Sequence, residues 1–131
     1  MQRLTNQTTI KGFALFLILG FAASLPLTAN AQTQTEMNIT AGKTYDKADK
    51  TMTVAYKKLM GKLDAKGKAR LKKAQIAWIK FRDAEAEFRS SESEGGSMHP
   101  MVESDCLTEI TNQRTKELNA AYKVFTTEGA M

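Results

Sequence analysis

Apolar side chains recur along most of this chain at intervals of three and four, the period of a helix with one buried face. Ala41, Tyr45, Ala48, Met52, Ala55, Leu59 and Leu63 advance in steps of 4, 3, 4, 3, 4 and 4. This near-heptad seam predicts a first helix over about Met37 to Leu63, with Lys43, Lys47, Lys50, Lys57, Lys58 and Lys62 mostly outside it. Gly42 and the neighbouring threonines weaken helix propensity, so the first turns are expected to be loose, after a frayed polar leader over Gln32 to Glu36. Asp64-Ala65-Lys66-Gly67 reads as a break, short enough to make the next helix an antiparallel neighbour.

A second helix is predicted from about Lys66 to Ser90, and it holds the only tryptophan. Leu71, Ala74, Trp78 and Phe81 fall on one stripe that Phe88 extends by about two turns, which predicts the core face. Arg82 and Asp83 sit beside that stripe, where an arginine can satisfy a carboxylate or carbonyls of a neighbouring helix. Ser90 to Ser97 combines two glycines with small polar and acidic residues and is expected to be a loop. Pro100 suits the first turn of a third helix, whose buried side is marked by Met101 or Val102, Cys106, Ile110, Leu118, Ala121 and Phe125. The tail from Glu128 to the C-terminus should fray. No strand-like alternation or internal repeat interrupts the pattern. The expected fold is all-α, a small antiparallel bundle of three long helices.

The first 31 residues read differently. Arg3 and Lys11 precede an almost wholly apolar run from Gly12 to Leu27, and Ala29-Asn30-Ala31 places small residues where a signal peptidase reads. Residues 1–31 are therefore expected to be a secretory signal peptide, and residues 32–131 a helical domain that is periplasmic or secreted. The apolar run is short for a membrane span and Pro26 interrupts it, so no stable anchor is expected after cleavage. Cleavage leaves 17 basic and 14 acidic side chains, a net +3. That excess is too small to argue for nucleic acid, and no basic run is interleaved with aromatics.

Chemistry is sparse. The only histidine, His99, and the only cysteine, Cys106, have no partner at metal-ligand spacing, so no metal or other cofactor is expected. No Gly-x-Ser-x-Gly turn is present and His99 lies in a joint, so the sequence argues against an enzyme. Cys106 lies on the inner stripe of the third helix, where burial is expected over pairing with another chain. Gly95-Gly96-Ser97 is a weak anion-cradle signal for which a turn suffices. What remains is binding through a surface. The Ser90–Met101 joint, with Glu92, Glu94, Gly95, Gly96, Ser97 and His99, is the candidate partner-binding loop.

Met37-Asn38, Tyr56 through Leu63, Gln75-Ile76-Ala77-Trp78-Ile79-Lys80-Phe81-Arg82-Asp83, Gly95-Gly96-Ser97 and the stretch from Cys106 to Arg114 resemble the lysozyme inhibitor LprI-like N-terminal domain family. The resemblance covers nearly all of residues 32–131, in order. It implies a small exported helical domain of bacteria. It also marks Trp78, Arg82, Asp83, Cys106 and Arg114 as family-motif residues of structural character, with Arg82 or Arg114 expected to pair with a carboxylate between helices. Members commonly carry cysteines where this chain has Thr40 and Ala86, and that difference implies loss of a family disulfide. Lysozyme is the partner the resemblance implies, bound and blocked without chemistry of the inhibitor's own. The net positive charge opposes long-range approach to a basic lysozyme. The alternative is an envelope interaction or scaffold module, for which Ile76 and Ile79, partly off the main stripe, would supply an exposed apolar patch.

Overall fold

The computed structural model describes the backbone of residues 27–127 and the side chains of residues 33–127. The apolar leader up to Pro26 and the tail from Glu128 lie outside the described residues. Three α-helices make up the fold: α1 (Leu27–Met60), α2 (Ala65–Ser90) and α3 (His99–Thr127), with a single 3-10 turn at Ser91–Ser93 before α3. The chain is all-α, as its periodicity predicts.

Helix α1 departs from the expected loose start. It is helical from Leu27, so the Gln32–Glu36 stretch is not a frayed leader, and the boundary expected after Ala31 lies within the helix. Threonine hydroxyls turn back onto the helix's own carbonyls, Thr40 to Glu36 at 2.8 Å, Thr44 to Thr40 at 2.9 Å and Thr51 to Lys47 at 2.9 Å. Each residue thereby finds its hydrogen bond without leaving helical geometry. The break after Met60 ends on Asp64, whose carboxylate accepts the Gly67 N–H at 2.7 Å and caps α2. A Cβ on residue 67 would stand 2.9 Å from that carboxylate oxygen, so glycine there keeps the cap accessible.

Chain direction makes α1 and α3 parallel and α2 antiparallel to both. The backbones of α1 and α3 run closest together, whereas α1 and α2 meet mainly through long side chains. The short connection therefore gives an antiparallel neighbour, but the close pair is formed by the two helices that it does not join. Side-chain size explains this. Buried alanines recur every seven residues at Ala41, Ala48 and Ala55 and let α3 come near. Trp78, Gln75 and Arg82 hold α2 further off. The apolar core gathers Met52, Ala55, Leu59 and Leu118, with Leu63, Leu71 and Trp78 packed against it. Among the described residues, all of these contacts fall between residues 33 and 127.

The buried face of α2 is rotated from the expected one. Leu71 and Trp78 do turn inward, but between and beyond them the inward positions are Gln75, Arg82, Ala86 and Ser90. Ala74 and Phe81 face solvent, as does Phe88, which is 74% exposed. Phe125 of α3, also expected inside, is exposed too. Steps of three and four from Leu71 and Trp78 generate both stripes, so period alone does not choose between them. The polar stripe prevails because each of its long side chains meets a partner on α1 or α3.

Leu118→Ala is expected to cost about 2–5 kcal/mol, as for other large-to-small changes in a core. Phe88→Ser should stay within about 0.5 kcal/mol of the parent. Denaturant unfolding of both variants checks the assignment, and a large loss from Phe88→Ser would contradict it.

Candidate functional site

The inward polar stripe of α2 forms a girdle around the middle of the bundle. Arg82 is only 8% exposed, and its guanidinium donates to Asp49 of α1 at 3.1 Å and to Asp83 of its own helix at 2.8 Å. It also lies 5.4 Å from the Trp78 ring centre and 5.5 Å from that of Tyr45. Burial alone would lower the Arg82 pKa; the hydrogen bond to Asp83 and the nearby Tyr45, Asp83 and Asp49 outweigh it, and the net shift is upward. The cation is thus held charged inside the fold, where it needs such partners.

Arg114 approaches the same tryptophan from α3, 5.7 Å from the ring centre. It donates to the Gln75 side-chain oxygen at 3.1 Å and to Glu117 at 3.1 Å, while the Gln75 amide contacts the Met52 sulfur at 3.0 Å. Of these two, Arg82 is the arginine that reaches a carboxylate on another helix, and Arg114 crosses to an amide instead. Trp78, flanked by two guanidiniums, ties all three helices together. Their exchange of partners leaves this girdle braced rather than open to a ligand.

The joint between α2 and α3 is ordered, not a flexible loop. Successive tight turns run Glu94 N–H to Ser91 carbonyl, Gly96 N–H to Ser93 carbonyl and His99 N–H to Gly96 carbonyl. Gly95 has φ +75°, the left-handed conformation that favours glycine. His99 is half-buried: Nδ1 lies 3.1 Å from Ser93 Oγ and 3.3 Å from the Ser90 carbonyl, and Nε2 lies 4.0 Å from Glu103. Its ring closes the end of α2 onto the start of α3. Asn38 of α1 donates to the Ser97 carbonyl at 3.0 Å and fastens the corner to the remaining helix of the bundle.

Of the residues proposed for binding, Glu92, Glu94, Gly95, Gly96 and Ser97 face solvent together on this corner, while His99 is largely occupied in bracing it. The structure adds neighbours that sequence reasoning missed. A notch of about 520 Å³ is lined by Glu87, Phe88, Ser91, Glu94, His99 and Glu103 among others. Phe88 falls on the stripe that periodicity assigns to the core, and that assignment hides its exposure. From Asp83 to Glu109 the chain has eight acids against the single cation Arg89. A running count of charge exposes that bias. Arg89 itself pairs with Glu85 at 2.8 Å and with Glu109 at 3.4 Å, so the corner retains an acidic excess.

Cys106 is half-buried on α3 rather than fully enclosed, and it is a free thiol. Ala86 is fully buried and Thr40 is exposed. Among the described residues no group of three or more His, Cys, Asp and Glu is arranged to hold a metal ion. Nor is any of their helices long and apolar enough to cross a membrane.

The fold defines a small helical-bundle protein in which most buried polar groups brace one helix against another. The chain belongs to the lysozyme inhibitor LprI family, which it matches over residues 27–118. It is also 38% identical over 101 residues to an uncharacterized protein of Rhizobium meliloti (strain 1021), a match that covers 67% of this chain and 73% of the relative. No solved structure matches it significantly.

Two measurements test the girdle. A double-mutant cycle on Arg82 and Asp49 is expected to show coupling of about 0.5–3 kcal/mol, whereas Asp83 and Arg114, which do not pair, should be nearly additive. Tyr45 gives the pH dependence. Burial raises its pKa above 10.0, Arg82 pulls it back, and Asp49, Asp83 and Asp46 push it up. The unfolded phenol ionises first, so this contribution to stability is complete below pH 10.0 and is lost as pH rises through the higher native value. Tyr45→Phe should flatten that alkaline loss in unfolding measured across pH.

Proposed function

We propose that the chain is exported after removal of residues 1–31 and that residues 32–131 bind and block lysozyme through the acidic corner. Family membership supports lysozyme as the partner in general. The observation that carries the choice of surface is Phe88, the most exposed of the large apolar residues among those described, standing beside Glu87, Glu94 and Glu103 on one notch. An aromatic anchor within a charged rim is the usual composition of an energetic hot spot. Lysozyme cleaves with two carboxylates in an open cleft, so an inhibitor needs only to cover that cleft and contributes no chemistry.

Charge, which as a net +3 opposes this partner, favours it when its distribution is considered. The corner that would meet a basic enzyme has the acidic excess, and the basic residues are concentrated elsewhere. Local complementarity of that kind raises the rate of association and fixes orientation.

Lysis of cell-wall substrate, titrated with folded residues 32–131, is expected to stop at about one inhibitor per enzyme. Phe88→Ala, and separately Glu87→Gln with Glu94→Gln and Glu103→Gln, should each weaken inhibition about tenfold or more, equivalent to about 1.4 kcal/mol. Point variants are preferable to replacing the whole joint, because Ser90 and His99 hold the corner together. Undiminished lysis at large excess would overturn the reading. It would leave an envelope interaction module, for which Ile76 and Ile79, exposed on the outside of α2, are the apolar candidates.

A further inference from the structure

The opposite end of the bundle carries the reverse charge. From Lys57 to Lys73 the chain has eight basic residues against one acid, Asp64. All eight are exposed, and the only acid is occupied in capping α2. Lys123 of α3 comes to the same end and is also exposed.

An apolar notch of about 520 Å³ opens among these cations. Leu63, Leu71 and Ala121 line it together with Phe125, whose ring is half exposed. Lys62, Lys66 and Arg70 line the same notch. Lys58 lies 5.3 Å from the ring centre of Tyr122, so an aromatic with a polar tip is also held under a cation here. A purely solvated charged surface needs no such opening. A soluble polyanion would use the cations but leave the apolar floor uncovered. Aliphatic surface beneath lysine headgroups instead matches the boundary between phosphate and acyl chain, where apolar burial and charge attraction act together.

We propose that this basic end docks on the surface of an anionic phospholipid bilayer, with Phe125 entering the acyl boundary and Lys62, Lys66 and Arg70 meeting lipid phosphates. The bundle then stands end-on. Helix α2, with 26 residues at 1.5 Å each, carries the acidic corner about 40 Å from the lipid surface. Membrane docking and lysozyme binding would use opposite ends, so neither depends on the other.

The test is sedimentation of residues 32–131 with phosphatidylcholine vesicles, with and without phosphatidylglycerol, at low and high salt. Binding is expected only with phosphatidylglycerol, and it should weaken with salt. Lys62→Gln with Lys66→Gln and Arg70→Gln should reduce binding about tenfold or more, since each cation near an anionic surface contributes separately. Phe125→Ser should reduce it about fivefold or more while leaving its salt dependence intact. Lys43→Gln with Lys47→Gln and Lys50→Gln removes three charges along α1 and should bind as the parent does. Circular dichroism confirms that each variant remains helical. Equal binding to neutral vesicles, no effect of the Lys62, Lys66 and Arg70 changes, or an unaltered Phe125→Ser variant would overturn the proposal. So would competition by inorganic phosphate at matched ionic strength, which would assign a free-anion site instead.

Discussion

The buried guanidinium of Arg82 is the constraint on which much of this structure depends. A cation that is 8% exposed has to be answered from several sides. Asp49 answers from α1, Asp83 from the same helix, and the rings of Trp78 and Tyr45 complete the enclosure. Those partners fix the rotation of α2 about its own axis. Once Arg82 points inward, Phe81 and Phe88 are turned about 100–120° away from it, by the angular spacing of a helix. The most exposed aromatic surface among the described residues is thus a consequence of where Arg82 is buried.

Packing and charge are arranged along different directions. Across the bundle, small residues bring α1 and α3 together while large polar ones separate α1 from α2. Along the bundle, cations gather at the α1–α2 turn and anions at the α2–α3 corner. The girdle between them pairs its two guanidiniums with Asp49, Asp83 and Glu117. The full chain's net charge of +5 conceals this polarity entirely.

Much of the fold is legible in the sequence because α1 is nearly ideal in pattern: every position of its seam from Ala41 to Leu59 is buried or partly buried, and Leu63, expected to end the helix, packs from the turn beyond it. Helix boundaries at the Asp64 cap and at Ser90 are equally readable, since capping and glycine-rich turns are local signals. The face of α2 is not. Sequence patterning assigns apolar residues to the interior, and here Gln75 and Arg82 displace Ala74 and Phe81 because of partners remote in sequence. The candidate site inherits that error. Glu92, Glu94 and Ser97 can be placed on the joint from composition, but periodicity credits Phe88 to the core. His99 is readable as a helix-entry residue, although its bracing of the Ser90 carbonyl depends on a fold that brings the two together.

The pairing of α1 with α3 has a consequence for how the chain acquires its structure. The hydrogen bond from Asn38 to Ser97 joins residues 59 apart, and Leu59 and Leu118 share one core cluster across a similar distance. Most helical bundles fold quickly because neighbours in sequence are neighbours in space. Here the first two helices meet through long side chains, and the closest backbone approach waits for the last third of the chain. The closest partner of the first helix is therefore the last one to be made.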